Sequence, residues 1–252
     1  TTRRVPIMEY HLHLLTIIAN VAGVAIEQTR LRQQVAAELL LRSRLARYHS
    51  PTLIEELLAE GEERGTMAPK ERDVSVLFAD IAGFSTRSES MAPAAVARLL
   101  NGLFSELVEI IFAHEGTLDK FLGDGLMAVF GAPNDVPQHA RRAVDCALAM
   151  QRRVAELDLR EGADKPLRLR IGINSGPVVA GDIGSDRRVE YTVLGNTVNI
   201  ASRLESFVAR PGDTVIGPFT RASLGGDLFV EELGEQMLKG IQAPVAAFRV
   251  TA

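Results

Sequence analysis

The sequence predicts an α+β fold: a ferredoxin-like βαββαβ core with a C-terminal extension, preceded by a long N-terminal signalling helix. Two observations lead to this prediction. From Asp73 onward the chain reads strand, helix, hairpin, helix and strand, which is the ferredoxin-like order. Residues 10–48 instead carry apolar side chains at helical spacing. The length of 252 residues leaves room for one sizeable domain and a further element.

The composition excludes several classes of function. A formal net charge of -4 argues against a nucleic-acid partner. One cysteine, Cys146, excludes an intramolecular disulfide and suits a reducing compartment, so we expect a cytoplasmic protein. The N-terminal residues lack the pattern of a signal peptide. Because the chain does not begin with Met, we expect an upstream sensor domain that is missing from it.

The first 48 residues are predicted to form a helix that pairs with a second copy of itself. The side chains that follow a rough 3/4 spacing suited to a helix–helix seam are Leu14, Ile18, Val21, Ala25, Gln28, Leu31 and Val35. The uncharged run LLTIIANVAGVAI is shorter than the about 20 residues that a membrane-spanning helix needs, so we expect no membrane span. An unpaired amphipathic helix is the alternative.

A linker is predicted over residues 49–70. Ser50-Pro51 begins a short helix, because proline is tolerated in a first helical turn. A glycine-containing, charged stretch follows at residues 61–70. We therefore divide the chain into a helix at 1–48, a linker at 49–70 and a catalytic domain at 71–252.

From residue 71 onward, successive segments of the sequence show the residue pattern of a strand, a helix or a hairpin. VSVLFAD is an apolar run of strand length, and Pro93 opens a helix. GTLDKFLGDGLMAVFG is predicted as a hairpin, and residues 137–157 as a helix. LRLRIGINSGPVVAGDIG is predicted as a strand that continues past a turn, RVEYTVLG as a strand and NTVNIASRLESFVA as a helix. The remainder alternates short strands with one short helix.

Two carboxylates stand where this fold brings strands together. Asp80 ends the first strand and Asp124 lies at the hairpin tip, and the first strand and the hairpin are neighbours in a ferredoxin-like sheet. Two carboxylates suit Mg²⁺, which takes further ligands from water and substrate phosphates, and two such ions suit phosphoryl transfer. Simple Asp-Gly turn chemistry is the alternative for Asp124.

Three segments together resemble the signature blocks of the class III nucleotidyl cyclase catalytic domain: FADIAGFS, KFLGDGLMAVFG and YTVLGNTVNIASRLE. The resemblance covers about residues 70–252 and implies the class III cyclase fold. It also implies an adenylyl cyclase, which forms 3′,5′-cyclic AMP and pyrophosphate from ATP with two Mg²⁺ or Mn²⁺ ions.

The resemblance assigns a role to each matching position. Asp80 and Asp124 match the metal-binding aspartates, and Ile81 lies with them. Asn199 and Arg203 match the pair that positions the ribose and stabilises the transition state. Lys120 and Thr192 match the purine-reading positions. The phosphates are assigned to Lys239 and to the backbone of a segment after the first strand: Ile81, Ala82, Gly83 and Phe84.

The purine-reading pair favours ATP. A lysine donor suits N1 of adenine, and a threonine hydroxyl can accept from N6. Guanylyl cyclases of the family carry Glu and a small Cys-like residue at these positions, and neither is present here. Because a hydroxyl both donates and accepts, a guanylyl or mixed-specificity cyclase is an alternative. A non-catalytic cyclase-like dimerisation or nucleotide-sensing domain is another.

The resemblance also implies a homodimer with shared sites. The metal aspartates would come from one protomer, and Lys120, Thr192, Asn199 and Arg203 from the other. This chain has both sets, so a head-to-tail homodimer would have two equivalent sites. The segment LHLLTIIANVAGVAIEQTRL resembles the last helix of a GAF sensor domain, which implies parallel N-terminal helices that transmit a signal.

Overall fold

The computed structural model describes residues 6–45, 67–161, 166–185 and 188–251. The chain separates into two compact units, Thr1–His49 and Ser50–Ala252. Most of the predicted linker, residues 49–66, lies outside the described residues.

The first unit contains one helix, α1 (Pro6–Leu45). The side chains of the predicted seam are exposed, with Leu14 at 45%, Ile18 at 55% and Val21 at 65%. Within α1, the stretch His11–Val35 is long and apolar enough to cross a membrane by length and composition alone. Signal sequences and core helices of soluble proteins meet the same two criteria. Length and composition therefore do not decide between a membrane span and a helix pair.

The second unit follows the predicted order of elements. Its first half contains β1 (Lys70–Ile81), α2 (Phe84–Glu89), α3 (Pro93–Ala113), β2 (Thr117–Leu122), β3 (Gly125–Phe130), α4 (His139–Glu161) and β4 (Leu169–Ser185). Its second half contains β5 (Arg188–Leu194), α5 (Asn196–Arg203), a π-helical turn (Leu204–Val208), β6 (Thr214–Ile216), α6 (Pro218–Ala222), β7 (Phe229–Gln236) and β8 (Val245–Thr251).

The eight described strands form one sheet in the order β2-β3-β1-β4-β6-β8-β7, with β5 paired to β4. The four strands at its start have the ferredoxin-like arrangement, which confirms the predicted fold class. Strand β1 is buried on both faces, because Leu77 and Ala79 face a core formed with α3 and α4. Val74 and Val76 face a second core, which includes Ala201 of α5. Apolar side chains on both faces explain the unbroken hydrophobic run of this strand.

Strand β4 differs from its prediction. A turn was expected within it, but residues 169–185 form one continuous strand that pairs with β1 from Leu169 to Ala180 and with β5 from Val179 to Ser185. The glycines do not turn the chain, and three of them, Gly172, Gly176 and Gly181, permit close packing. A Cβ at Gly172 would overlap the amide nitrogen of Glu205 and lie 2.5 Å from the carbonyl oxygen of Ala201.

We expect Gly172→Ala to destabilise the protein by about 1–3 kcal/mol, because the added methyl group has no space against a backbone. It should also lower any activity that depends on Asn199 and Arg203, since α5 must move. Denaturant unfolding measures the first effect. Gly102→Ala is the matched control, because a Cβ there meets nothing within 4 Å in the exposed face of α3. That control should be neutral or stabilising, and equal effects of the two substitutions would contradict the packing argument.

The first described residues of the second unit, 67–69, lie along β4. The amide of Met67 donates to a carboxylate oxygen of Asp182 at 2.7 Å, and the amide of Asp182 donates back to the Met67 carbonyl at 2.9 Å. A Cβ at Gly181 would lie 2.6 Å from the Cα of Pro69. Residues 67–69 are therefore fixed against the part of β4 that pairs with β5.

Candidate active site

The two predicted carboxylates lie side by side. Strand β1 pairs with β3 so that Asp80 is opposite Gly125, the residue after Asp124. The side chain of Asp80 is 22% exposed, and Asp124 is partly buried. Antiparallel neighbours on adjacent strands approach within a few ångströms, roughly 5 Å between Cα atoms. The fold thus brings together the two groups that the sequence placed at neighbouring strand ends.

Two glycines allow this approach. Gly123 and Asp124 form the two-residue loop between β2 and β3, and Gly123 has a φ of 68°, which glycine adopts most easily. The loop is therefore Gly-Asp rather than the Asp-Gly pair of the turn-only interpretation. Gly125 serves packing instead, because a Cβ there would lie 2.8 Å from the Ala79 carbonyl oxygen and 3.2 Å from Oδ1 of Asp80.

An arginine that the sequence analysis missed lies at this pair. Arg170 is opposite Asp80 in the β1–β4 ladder, and its guanidinium binds the Asp80 carboxylate. Its Nε lies 3.3 Å from Oε1 of Glu205, a side chain with only 10% exposure. Arg170 stands in the sequence as a charged residue inside the apolar run LRLRIGIN. Its partner, Asp80, depends on the register of two strands, which the sequence does not specify.

The electrostatics of this cluster favour a bound cation. Burial and the negative charge of Asp80 raise the pKa of Asp124. Burial, with a smaller contribution from Asp80 and Asp124, also raises the pKa of Glu205. Like charges in close proximity disfavour ionisation, so a cation would relieve the repulsion. Asp80 and Asp124 therefore fit a divalent ion. No group of three or more His, Cys, Asp or Glu side chains suited to a metal occurs among the described residues.

The predicted phosphate segment follows Asp80 directly. Ile81 is buried and still belongs to β1, and the amide of Ala82 donates to the Arg168 carbonyl at 2.9 Å. That amide is therefore engaged by the protein and cannot serve a phosphate unless this bond opens. Gly83 has a φ of 71° and precedes α2, which has no side-chain cap. The backbone at Gly83 and Phe84 is the remaining part of the predicted segment.

The two predicted purine-reading residues are joined by a third residue, Asp119. The hydroxyl of Thr192 donates to Oδ2 of Asp119 at 2.6 Å, and the Lys120 ammonium lies 3.4 Å from Oδ1 of the same carboxylate. Lys120 also lies 3.3 Å from the carboxylate of Glu190. Burial alone would lower the pKa of Lys120, but the two carboxylates outweigh it and raise that pKa, so the lysine stays a cation. Sequence reasoning did not select Asp119.

The predicted catalytic pair lies on α5 and its end. Asn199 is exposed, and Arg203 is the last residue of α5 before the π-helical turn. The Nε of Arg203 donates to the carbonyl oxygen of Lys239 at 3.2 Å, and its guanidinium carbon lies 5.7 Å from the centroid of Phe207. These contacts hold the guanidinium and bring the predicted triphosphate residue Lys239 next to it.

A ferredoxin-like sheet with paired carboxylates, an arginine beside them and a separate cluster of Lys120, Asp119 and Thr192 is the arrangement expected of a nucleotide cyclase domain. The family model described as "Adenylate and Guanylate cyclase catalytic domain" matches residues 66–251. The chain belongs to this family.

Relatives of both substrate classes are similar to the chain. It is 36% identical over 233 residues to proteins named adenylate cyclase from Mycobacterium bovis and Mycobacterium tuberculosis, covering 90% of the chain and 52% of each relative. The crystal structure of the adenylyl cyclase CyaB from P. aeruginosa matches with a TM-score of 0.70 and 34% identity, over 73% of this chain and 96% of that one. The guanylyl cyclase Cya2 matches with a TM-score of 0.67 and 36% identity, over 73% and 94%.

Two consequences follow from these matches. The chain spans about half the length of the Mycobacterium relatives, 52%. Identity to an adenylyl and a guanylyl cyclase is nearly equal, at 34% and 36%, so overall similarity does not separate ATP from GTP. The choice between the bases has to rest on individual side chains.

Proposed function

We propose that this chain is an adenylyl cyclase catalytic region that converts ATP to 3′,5′-cyclic AMP and pyrophosphate. The observation that carries the proposal is the pairing of Asp80 with the Asp124 hairpin, beside a separate Lys120–Thr192 pair. The first pair supports binding of metal and phosphate, and the second supports binding of adenine. In the reaction the ribose 3′-oxygen attacks the α-phosphorus in line, and the hydroxyl proton passes to solvent. The bond between the α-phosphorus and the oxygen that bridges to the β-phosphorus breaks, which releases pyrophosphate.

Asp80 and Asp124 would hold two Mg²⁺ or Mn²⁺ ions, with Ile81 adjacent through its backbone. When bound, such ions lower the pKa of the ribose hydroxyl and neutralise the phosphates. Arg170 occupies the Asp80 carboxylate through its guanidinium. Arg170, which also lies 3.3 Å from Oε1 of Glu205, would be placed beside bound phosphates and could donate to a phosphate oxygen.

Arg203 and Asn199 act on the transferring phosphate and the ribose. Because Nε of Arg203 is engaged by the Lys239 carbonyl, the guanidinium is held with its terminal nitrogens available to a developing negative charge. Asn199 lies one helical turn earlier on the same side of α5 and can bind the ribose. Lys239, exposed beside Arg203, supplies a cation to the triphosphate.

The active unit is a head-to-tail homodimer whose sites use residues of both protomers. Several large apolar side chains next to the predicted site residues are exposed, which is typical of an interface. They are Phe121 at 48% and Leu122 at 45% beside Lys120, Phe207 at 58% near Arg203, and Met237 at 72% near Lys239. Covering them with a second copy would bury apolar surface and close the site to water.

The organisation of the longer protein follows from this assignment. The helix α1 pairs with a second copy of itself, and residues 71–252 form the catalytic domain; most of the linker predicted at 49–70 lies outside the described residues. A cytoplasmic location fits the use of ATP and the free thiol of Cys146, which is fully buried.

Product formation from ATP and from GTP, each with Mg²⁺ and with Mn²⁺, tests the function. We expect cyclic AMP from ATP and at least about tenfold less cyclic GMP from GTP, because Lys120 and Thr192 complement adenine. Comparable rates would make the chain a mixed-specificity cyclase. Nucleotide binding without any product under all four conditions would contradict the cyclase proposal and favour a nucleotide-sensing domain.

A further inference from the structure

We propose that Asp119 is a positioning residue that fixes the Thr192 hydroxyl as a hydrogen-bond acceptor toward the base, and so makes the site select adenine over guanine. The inference deepens the proposed function and rests on it for the location of the base. It concerns three side chains of one protomer that the structure places in contact.

Asp119 reaches Thr192 because the strand is irregular there. The β2–β3 register shifts between Leu118 and Lys120, so Asp119 is the extra residue of a β-bulge. Bulges redirect a side chain from the position that a regular strand would give it. The side chain of Asp119 is 3% exposed, and Thr192 is 8% exposed. The bulge therefore turns a carboxylate into the protein beside a buried hydroxyl.

Burying the Asp119 carboxylate destabilises the folded state. Burial raises the pKa of the Asp119 carboxyl, while the Thr192 hydroxyl, the Lys120 ammonium 3.4 Å from Oδ1 and the Val193 backbone favour its ionised form. Transferring an ionised carboxylate out of water costs several kcal/mol, roughly, and an apolar side chain of similar size is often at least as stabilising. Fold stability alone therefore does not account for an aspartate at this position.

The direction of the hydrogen bond between Thr192 and Asp119 explains why an aspartate lies at this position. An ionised carboxylate can only accept, so Thr192 must donate its single hydroxyl hydrogen to Asp119. The oxygen of Thr192 then has only lone pairs to offer to a ligand. Lys120, a cation, can only donate. An acceptor beside a donor is the complement of the adenine edge, which has the N6 donor beside the N1 acceptor. The guanine edge, with O6 beside N1–H, faces two unfavourable contacts.

Without the carboxylate this polarity is lost. In Asp119→Asn the amide oxygen should face the Lys120 ammonium, which leaves the amide NH₂ group toward Thr192. The hydroxyl of Thr192 would then accept from the amide and turn its hydrogen toward the base. A donor at this point repels the adenine N6 group and suits guanine O6.

The test compares kcat/KM for ATP and GTP in wild type, Asp119→Asn, Thr192→Val and the double variant. We expect Asp119→Asn to lower the ATP:GTP ratio by about tenfold or more, with a loss for ATP and a gain for GTP. In the Thr192→Val background the same change should move the ratio less than about twofold, because the two residues act as one unit. Asp227→Asn, at an exposed ion pair with Arg141, is the control for removing a carboxylate.

Two results would overturn the inference. An equal loss for both nucleotides would make Asp119 merely structural, and a ratio change that persists with Thr192→Val would show that it acts elsewhere. Equilibrium binding of 3′-deoxy-ATP and 3′-deoxy-GTP, which cannot cyclise, gives the same ratio without turnover. Wild type that binds adenine selectively but makes no product would sink the cyclase proposal alone. Wild type that binds both bases equally would sink the inference about Asp119.

Discussion

Replacing either Asp80 or Asp124 by asparagine is expected to lower cyclase activity by about a thousandfold, because each carboxylate is needed to hold cations against the phosphates. Asp124→Asn should fold as well as wild type, whereas Asp80→Asn loses the ion pair with Arg170. Burial and the charge of Asp80 raise the pKa of Asp124, so its ionised form is disfavoured in the folded, metal-free protein. Removing that charge leaves the free energy of unfolding unchanged or increases it. Initial rates with Mn²⁺-ATP and denaturant unfolding without metal are the two measurements.

The sign of the pH effect follows from linkage. A carboxyl group with a raised folded pKa favours the folded state more as pH falls from above that pKa toward its ordinary value of 3.8. The metal-free wild type should gain stability from this group over that window, and Asp124→Asn should lack this contribution. Asp227→Asn, on an exposed ion pair, should keep full activity. Retention of more than about a tenth of the activity by Asp124→Asn would contradict a metal role for this residue.

Mixing two inactive variants should restore activity if the sites are shared between protomers. Asp80→Ala disables one half of a site and Asn199→Ala the other. In a heterodimer of the two, one site carries both substitutions and the other carries neither. With random pairing, half of the dimers are mixed and each has one of two sites intact, so about a quarter of wild-type activity is expected. The assay is cyclic AMP formation after co-refolding or co-expression of the two chains.

The matched control is a mixture of Asp80→Ala with Asp124→Ala. Both substitutions damage the same half of a site, so every site in every dimer carries one of them and no activity should return. Two different affinity tags show whether heterodimers form. If they form and the Asp80→Ala and Asn199→Ala mixture stays inactive, each site is built within one protomer or the roles of these residues are wrong.

Periodicity predicted much of the fold and the meeting of the two aspartates. The apolar run of β1 and the glycines around Asp124 are local signals, and the ferredoxin-like order places β1 beside the hairpin. The turn expected in β4 was wrong, because residues 169–185 form one continuous strand with glycines inside it. They lie in an extended strand, where Gly172 instead admits the backbone of the π-helical turn.

The contacts that depend on register could not be predicted. Arg170 binds Asp80 because two strands about 90 residues apart in sequence pair in one particular alignment, which no local pattern specifies. Asp119 binds Thr192 because β2 bulges at one residue. The sequence identified the residues on either side, Lys120 and Thr192, but the residue that links them follows only from the three-dimensional structure.

The attachment of residues 67–69 to β4 has a practical consequence for anyone shortening the chain. Asp182 pairs with Tyr191, and Gly181 pairs with Thr192, in the same ladder that Met67 and Pro69 cover. A truncation that starts after Pro69 would strip the Asp182 carboxylate of its amide partner and uncover the strand beside Thr192. Expression boundaries should therefore lie before Met67. A fragment that begins after Pro69, inside the family match at residues 66–251, is expected to show a base selectivity altered by the cut.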